Sequence, residues 1–99
     1  MTMASVQDIL ESIKEIKSEL KVSFKVKQIG IFGSLVRGEQ SESSDVDLLV
    51  DLDQEADLLD LIGLSQFLEE HLHQRCDVVP RNALRPEIRD QVLHEVKYA

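Results

Sequence analysis

Two short motifs carry residue types and spacings that could do chemistry: Asp45-Val46-Asp47 and Gly33-Ser34. Aspartates two apart in an extended segment project to the same side, about 6–7 Å apart at Cα. Such a pair can share a Mg²⁺, or bracket two ions spaced roughly 3.5–4 Å apart. Mg²⁺ prefers one or two protein carboxylates and leaves its other positions to water and phosphate oxygens. Gly33 and Ser34 offer the complementary half. A glycine lets the backbone approach a triphosphate, while Ser34 and the N–H groups that open a helix can bond its oxygens. Arg37, one turn on, can reach the same phosphates or a pyrophosphate leaving group. If its strand lies beside that of Asp45, Asp77 joins the pair as a third carboxylate, placed to take the proton of an attacking hydroxyl.

Taken singly, each has a plainer explanation. The aspartates would be the polar face of a half-exposed strand, and Gly33-Ser34 a turn with its cap. Arg37 would be a surface residue pairing with Glu39 or Asp45. The combination favours nucleotide chemistry, because one phosphate-binding turn and one carboxylate cluster are what it needs together.

These residues are useful only if the intervening elements bring them together. Ser5 with Asp8 reads as an N-cap, and Val6, Ile9, Ile13, Ile16 and Leu20 recur at helical steps, predicting one amphipathic helix over 5–20. A basic connection at 21–25 leads to a first strand, Val26 to Phe32. Ser34 is expected to cap a short helix holding Leu35, Val36 and Arg37, closed by Gly38 and followed by a polar loop, 39–44.

Asp45 to Leu52 alternates as a second strand, with Val46, Leu48, Val50 and Leu52 on one face and Asp45, Asp47, Leu49 and Asp51 on the other. A helix over about 56–72 is apolar enough to be covered on much of its circumference. Arg75 to Val79 forms a third strand, ended by Pro80, with Asp77 opposite Cys76 and Val78. Pro86 opens a last helix whose buried stripe is Ile88, Val92 and Val96. The order implies an α/β (α+β) domain with a small mixed sheet flanked by helices.

The 99 residues suggest one domain, spanning 1–99, with 42% hydrophobic and 30% charged residues. A net charge of −8 weighs against a long nucleic-acid partner, which is bound by neutralising phosphates with Lys and Arg. The single Cys76 cannot form an internal disulfide, and no signal peptide or membrane span is legible, so a reducing cytoplasm is expected. His71 and His73 diverge on their helix and make a poor metal pair. His94 reads as a surface residue. There is no P-loop lysine motif and no GxGxxG.

Gly33-Ser34, ten residues, Asp45-Val46-Asp47 and a later strand with Asp77 together resemble the GSx10DxD…D pattern of the DNA polymerase β-like nucleotidyltransferases. The stretch GSLVRGEQSESSDVDLLVDL is similar to the minimal nucleotidyltransferase (MNT) domain family, and the similarity continues through Arg75–Val79 and from Ala83 onward. The resemblance implies the polymerase β-like nucleotidyltransferase fold. It implies Gly33 and Ser34 as the phosphate-binding turn, Asp45, Asp47 and Asp77 as metal ligands, and Asp77 as the group that activates the acceptor.

Mg²⁺, as a two-ion site, would be the cofactor and ATP the substrate. Proteins of this family commonly serve as antitoxins to a HEPN-domain ribonuclease toxin, so the resemblance further implies transfer of AMP to a tyrosine of that partner. Two alternatives stand beside it: an antitoxin that acts by occlusion, and transfer to a small molecule. Three converging carboxylates favour catalysis over occlusion, and the lack of an acceptor-binding domain disfavours a small-molecule acceptor.

Overall fold

The computed structural model describes residues 5–39 and 45–99, so most of the predicted polar loop lies outside the described residues. A four-stranded mixed sheet has the order β3-β2-β1-β4, where β1 is Val26–Phe32, β2 Val46–Leu52, β3 Cys76–Pro80 and β4 Lys97–Tyr98. β2 runs parallel to β3, while β1 is antiparallel to both β2 and β4. The helices are α1 (Val6–Glu15), α2 (Lys17–Phe24), α3 (Ser34–Arg37), α4 (Leu58–Leu72) and α5 (Pro86–Glu95).

Alternation along the strands divides the core in two. Val46, Leu48 and Val50 of β2, with Ile29 and Ile31 of β1, meet Ile9, Ile13, Leu20, Leu64 and Leu68 from α1, α2 and α4. Phe32 and Leu49 point to the other face, where Leu84, two residues before α5, and Val92 within α5 cover them. Val26 breaks strict parity by joining the first core. The register explains this: Val26 pairs with Leu52 and Gln28 with Asp51, so Lys27 is an extra residue in β1. A bulge flips the preceding side chain to the opposite face, and here it recovers one more buried valine.

The predicted first helix is two helices. The chain breaks at Ile16 (φ −111°, ψ 10°), whose N–H turns back to Ile13 O at 3.1 Å. No Gly or Pro marks the break; packing of Ile16 against the core accompanies it. α2 then runs through the expected basic connection and ends at Lys25 in the left-handed conformation. The Ser5–Asp8 capping box forms as expected.

α4 begins at a second capping box, Asp57 with Asp60, and buries Leu64, Leu68 and Leu72. Its covering is narrower than predicted, since Leu58, Leu59 and Ile62 are 68%, 76% and 46% exposed. α5 starts at Pro86 as expected, yet only Val92 of its predicted stripe is buried in the helix. Ile88 is exposed, and Val96 lies beyond the helix end, where the chain enters β4. Two residues of strand carry no readable period, so β4 was not expected. Among the described residues, no helix is long and apolar enough to cross a membrane.

Candidate active site

The predicted residues meet at one end of the sheet, on the face covered by α5. Asp47 is the second residue of β2 and pairs across the parallel ladder with Asp77 of β3. Registered residues on adjacent strands lie about 5 Å apart and share a face, so the two carboxylates are neighbours. Asp45 stands just before β2 on the same side of the alternation. The Arg75 carbonyl accepts from Val46 N–H at 2.9 Å, extending the ladder and bringing Arg75 Nε to 3.2 Å from Asp45 Oδ1.

The crowding shows in the electrostatics. Burial, then the charges of Asp77 and Asp45, push the Asp47 carboxyl above the usual aspartate range. Arg37 opposes the shift without cancelling it. Among the described residues no three ligands enclose a metal site as they stand. The donor set nevertheless fits a hard divalent cation: oxygen-only, carboxylate, on one face, and strained by mutual repulsion that a cation would relieve.

Gly33 brings the second motif against this cluster. Across the antiparallel ladder its neighbour Phe32 pairs with Asp47. Gly33 has φ +81° and ψ −152°, a region open essentially to glycine alone. A Cβ here would also lie 2.9 Å from Asp47 Cγ and overlap its carboxylate. Glycine is therefore required twice, by conformation and by the approach of Asp47. Ser34 follows as the first residue of α3. It is not the N-cap the sequence suggested, because Gly33 holds that position and no side-chain cap bond forms.

Arg37 ends α3, and Gly38 closes it in the left-handed conformation. The guanidinium bonds Glu39 Oε1 through Nε at 2.7 Å, the partner the plainer reading proposed. Its Nη1 donates at 3.1 Å to both oxygens of Glu95, in the last turn of α5. Glu95 also accepts from Gly33 N–H at 2.6 Å. Sequence reasoning missed Glu95, which lies 62 positions from Gly33 and belongs to no motif. Arg75 was likewise seen only as part of a strand.

Cys76 faces away from the cluster. Burial, with Glu69 and Asp45 adding to it, pushes its thiol up to about 12, so it is no nucleophile at neutral pH. A concavity of about 510 Å³ lies at the other end of β2 and β3, lined by Asp51, Asp53, Pro80, Arg81 and Arg89 among others. None of the predicted residues lines it. The converging carboxylates mark the chemistry better than the size of that hollow.

Known proteins share this fold and much of this sequence. Residues 13–99 match the family described as nucleotidyltransferase domain. Protein adenylyltransferase MntA of Thermococcus cleftensis is 43% identical, the alignment covering 99% of each chain. A solved structure described as a minimal nucleotidyltransferase superposes with a TM-score of 0.79 at 34% identity, covering 98% of each chain. A toxin–antitoxin crystal structure with AMP-PNP gives 0.69 at 27% identity, covering 86% of this chain and 69% of that one. With most of its length matched, the chain belongs to the nucleotidyltransferase domain family, among the minimal nucleotidyltransferases.

Proposed function

We propose that this protein is a Mg²⁺-dependent protein adenylyltransferase that moves AMP from ATP to a tyrosine hydroxyl of a partner HEPN-domain toxin, and so acts as its antitoxin. The observation that carries the reading is the registered Asp47–Asp77 pair lying against the Gly33 turn. The MntA relative and the toxin–antitoxin likeness support the direction of transfer and the kind of partner. Tyrosine as the acceptor comes from the family resemblance.

Asp45, Asp47 and Asp77 would hold the metal, and a bound divalent cation would supply charge neutralisation at the reacting phosphate. Ser34, the backbone of the Gly33 turn and Arg37 bind the triphosphate and orient its α-phosphorus. The acceptor oxygen attacks that phosphorus in line, and the bond to the bridging oxygen of the β-phosphate breaks. The hydroxyl proton passes to Asp77, which is exposed and pairs in register with the half-buried Asp47. Pyrophosphate leaves with the negative charge that Arg37 is placed to meet.

The test is intact mass of the co-expressed partner after incubation with ATP and Mg²⁺, comparing wild type with Asp45→Asn/Asp47→Asn. AMP-sized addition by the wild type alone is expected. An unchanged partner mass, in a stable complex that still silences the toxin, would replace catalysis with occlusion.

A further inference from the structure

Gly33 needs support that its own chemistry does not supply. Glycine has more backbone freedom than any other residue, and this one must hold an uncommon conformation directly beside Asp47. Arg37 poses a similar problem, because a long side chain reaches phosphate well only if its fork is already aimed. One carboxylate touches both. Glu95 takes the Gly33 N–H at 2.6 Å and the Arg37 Nη1 at 3.1 Å, and its side chain is only 14% exposed. Hydrogen bonds to an ionised acceptor are the strong ones, and the first of these is short.

Glu95 is itself fixed. It ends α5, where Val96 N–H bonds Val92 O at 2.9 Å. Immediately afterwards the chain lies down on β1, with Lys97 paired to Ile31 and Tyr98 to Gly30. The fit there is close: a Cβ on Gly30 would lie 2.7 Å from Val96 Cγ2 and 2.9 Å from Lys97 O. The same strand that β4 grips runs two residues further and becomes the Gly33 turn. Turn and Glu95 are thus tied to one rigid strand from two sides.

We infer that Glu95 is the positioning residue of the nucleotide site: from the end of α5 it fixes the Gly33 turn and the Arg37 guanidinium for the triphosphate. It acts through these two groups and need not touch the substrate. A rival role is conceivable for any carboxylate on phosphate donors, namely a stand-in that the nucleotide must displace. Low exposure, a clamped backbone and bonds to two separate elements favour the support.

The inference rests on the proposed nucleotide chemistry, and the experiment separates the two. Wild type, Glu95→Gln, Glu95→Ala and the helix control Glu87→Gln are titrated calorimetrically with AMP-PNP and Mg²⁺. Melting curves and ¹H–¹⁵N spectra are recorded alongside. Gln keeps size and one acceptor while removing the charge, so that variant is expected to fold even where Ala does not.

For Glu95→Gln the Gly33 amide proton should move upfield, and AMP-PNP should bind roughly tenfold more weakly. In transfer assays KM for ATP should rise by a similar factor with a much smaller change in kcat, and Glu87→Gln should match wild type throughout. Wild-type binding with equal or tighter binding by Glu95→Gln would overturn the positioning role and leave the enzyme reading standing. Failure of the wild type to bind AMP-PNP would overturn the enzyme reading and the inference with it.

Discussion

Asp47 and Asp60 are both half-buried aspartates near the ends of regular elements, and they titrate in opposite directions. Asp60 sits in the first turn of α4, accepts the Asp57 N–H at 3.0 Å and meets Lys25 Nζ at 3.2 Å. That backbone hydrogen bond, then Lys25, hold its carboxyl below the usual range. Asp47 has burial and two carboxylates for company, and is pushed up. A carboxylate placed for structure arrives with its donors. One placed for chemistry is kept short of them, so that a cation or a proton has something to gain there.

The largest expected difference between the two regions is in activity. Asp45→Asn/Asp47→Asn should lower AMP transfer by on the order of 10³-fold or more, because two of the three charges that would hold metal are gone. EDTA should do the same to the wild type. Asp60→Asn should leave transfer within about twofold, since it alters a helix start and no group at the site. Equal losses in the two variants, measured by intact mass over time, would erase the distinction.

The two left-handed glycines sharpen it next. Gly33→Ala should lose roughly 1–3 kcal/mol from backbone strain alone, and nucleotide binding with it, because its Cβ would strike Asp47. Gly38 has φ +73° but nothing within 4 Å of a Cβ, so Gly38→Ala should cost only about 1 kcal/mol and spare binding. Urea melts and AMP-PNP titration report both quantities.

These pairs also show what was legible in the sequence. Alternation is a local rule, so Asp45 and Asp47 could be placed on one side of β2, and Gly33-Ser34 at the end of β1, without any tertiary knowledge. Asp77 was conditional. Its membership depended on β3 lying beside β2, and the observed parallel register meets that condition by pairing it with Asp47. Glu95 could not be read, because only the packing of α5 and β4 on β1 brings it to Gly33.

The break at Ile16 and the bulge at Lys27 escaped for the same reason. Neither has a Gly or Pro to announce it, and both depend on which face the core takes. Leu58, Leu59 and Ile62 misled in the other direction: a dense apolar composition gave no measure of how little of α4 the sheet would cover.

A smaller effect tests the structural side. Asp57 caps α4 by accepting Asp60 N–H at 2.9 Å, and Asp57→Ala should cost about 1 kcal/mol of stability with transfer unchanged. Activity lost in proportion to stability would mean that α4 and the site are not separable.

The most delicate comparison is stability against pH, recorded without metal. Asp47 has a raised carboxyl in the folded protein, so between the ordinary aspartate value near 4 and that raised value the native state holds more protons than the unfolded one. Stability therefore falls as pH rises through this window, and at neutral pH the full penalty of the crowded charge is present. Asp47→Asn removes the charge and should melt higher than wild type at pH 7, with the gap shrinking toward zero below pH 4.

Asp60 has the opposite sign. Its lowered carboxyl stabilises above the ordinary value and stops doing so as pH falls through the folded one. Asp60→Asn should then melt lower than wild type at pH 7, and this gap should close in acid. If both variants shifted the same way, the distinction between a satisfied and a crowded carboxylate would be wrong. If they diverge, Mg²⁺ with AMP-PNP should raise the melting temperature of the wild type and leave that of Asp47→Asn unmoved. A ligand stabilises only the state that binds it, and the charge that destabilises the empty site is the one that would hold the ion.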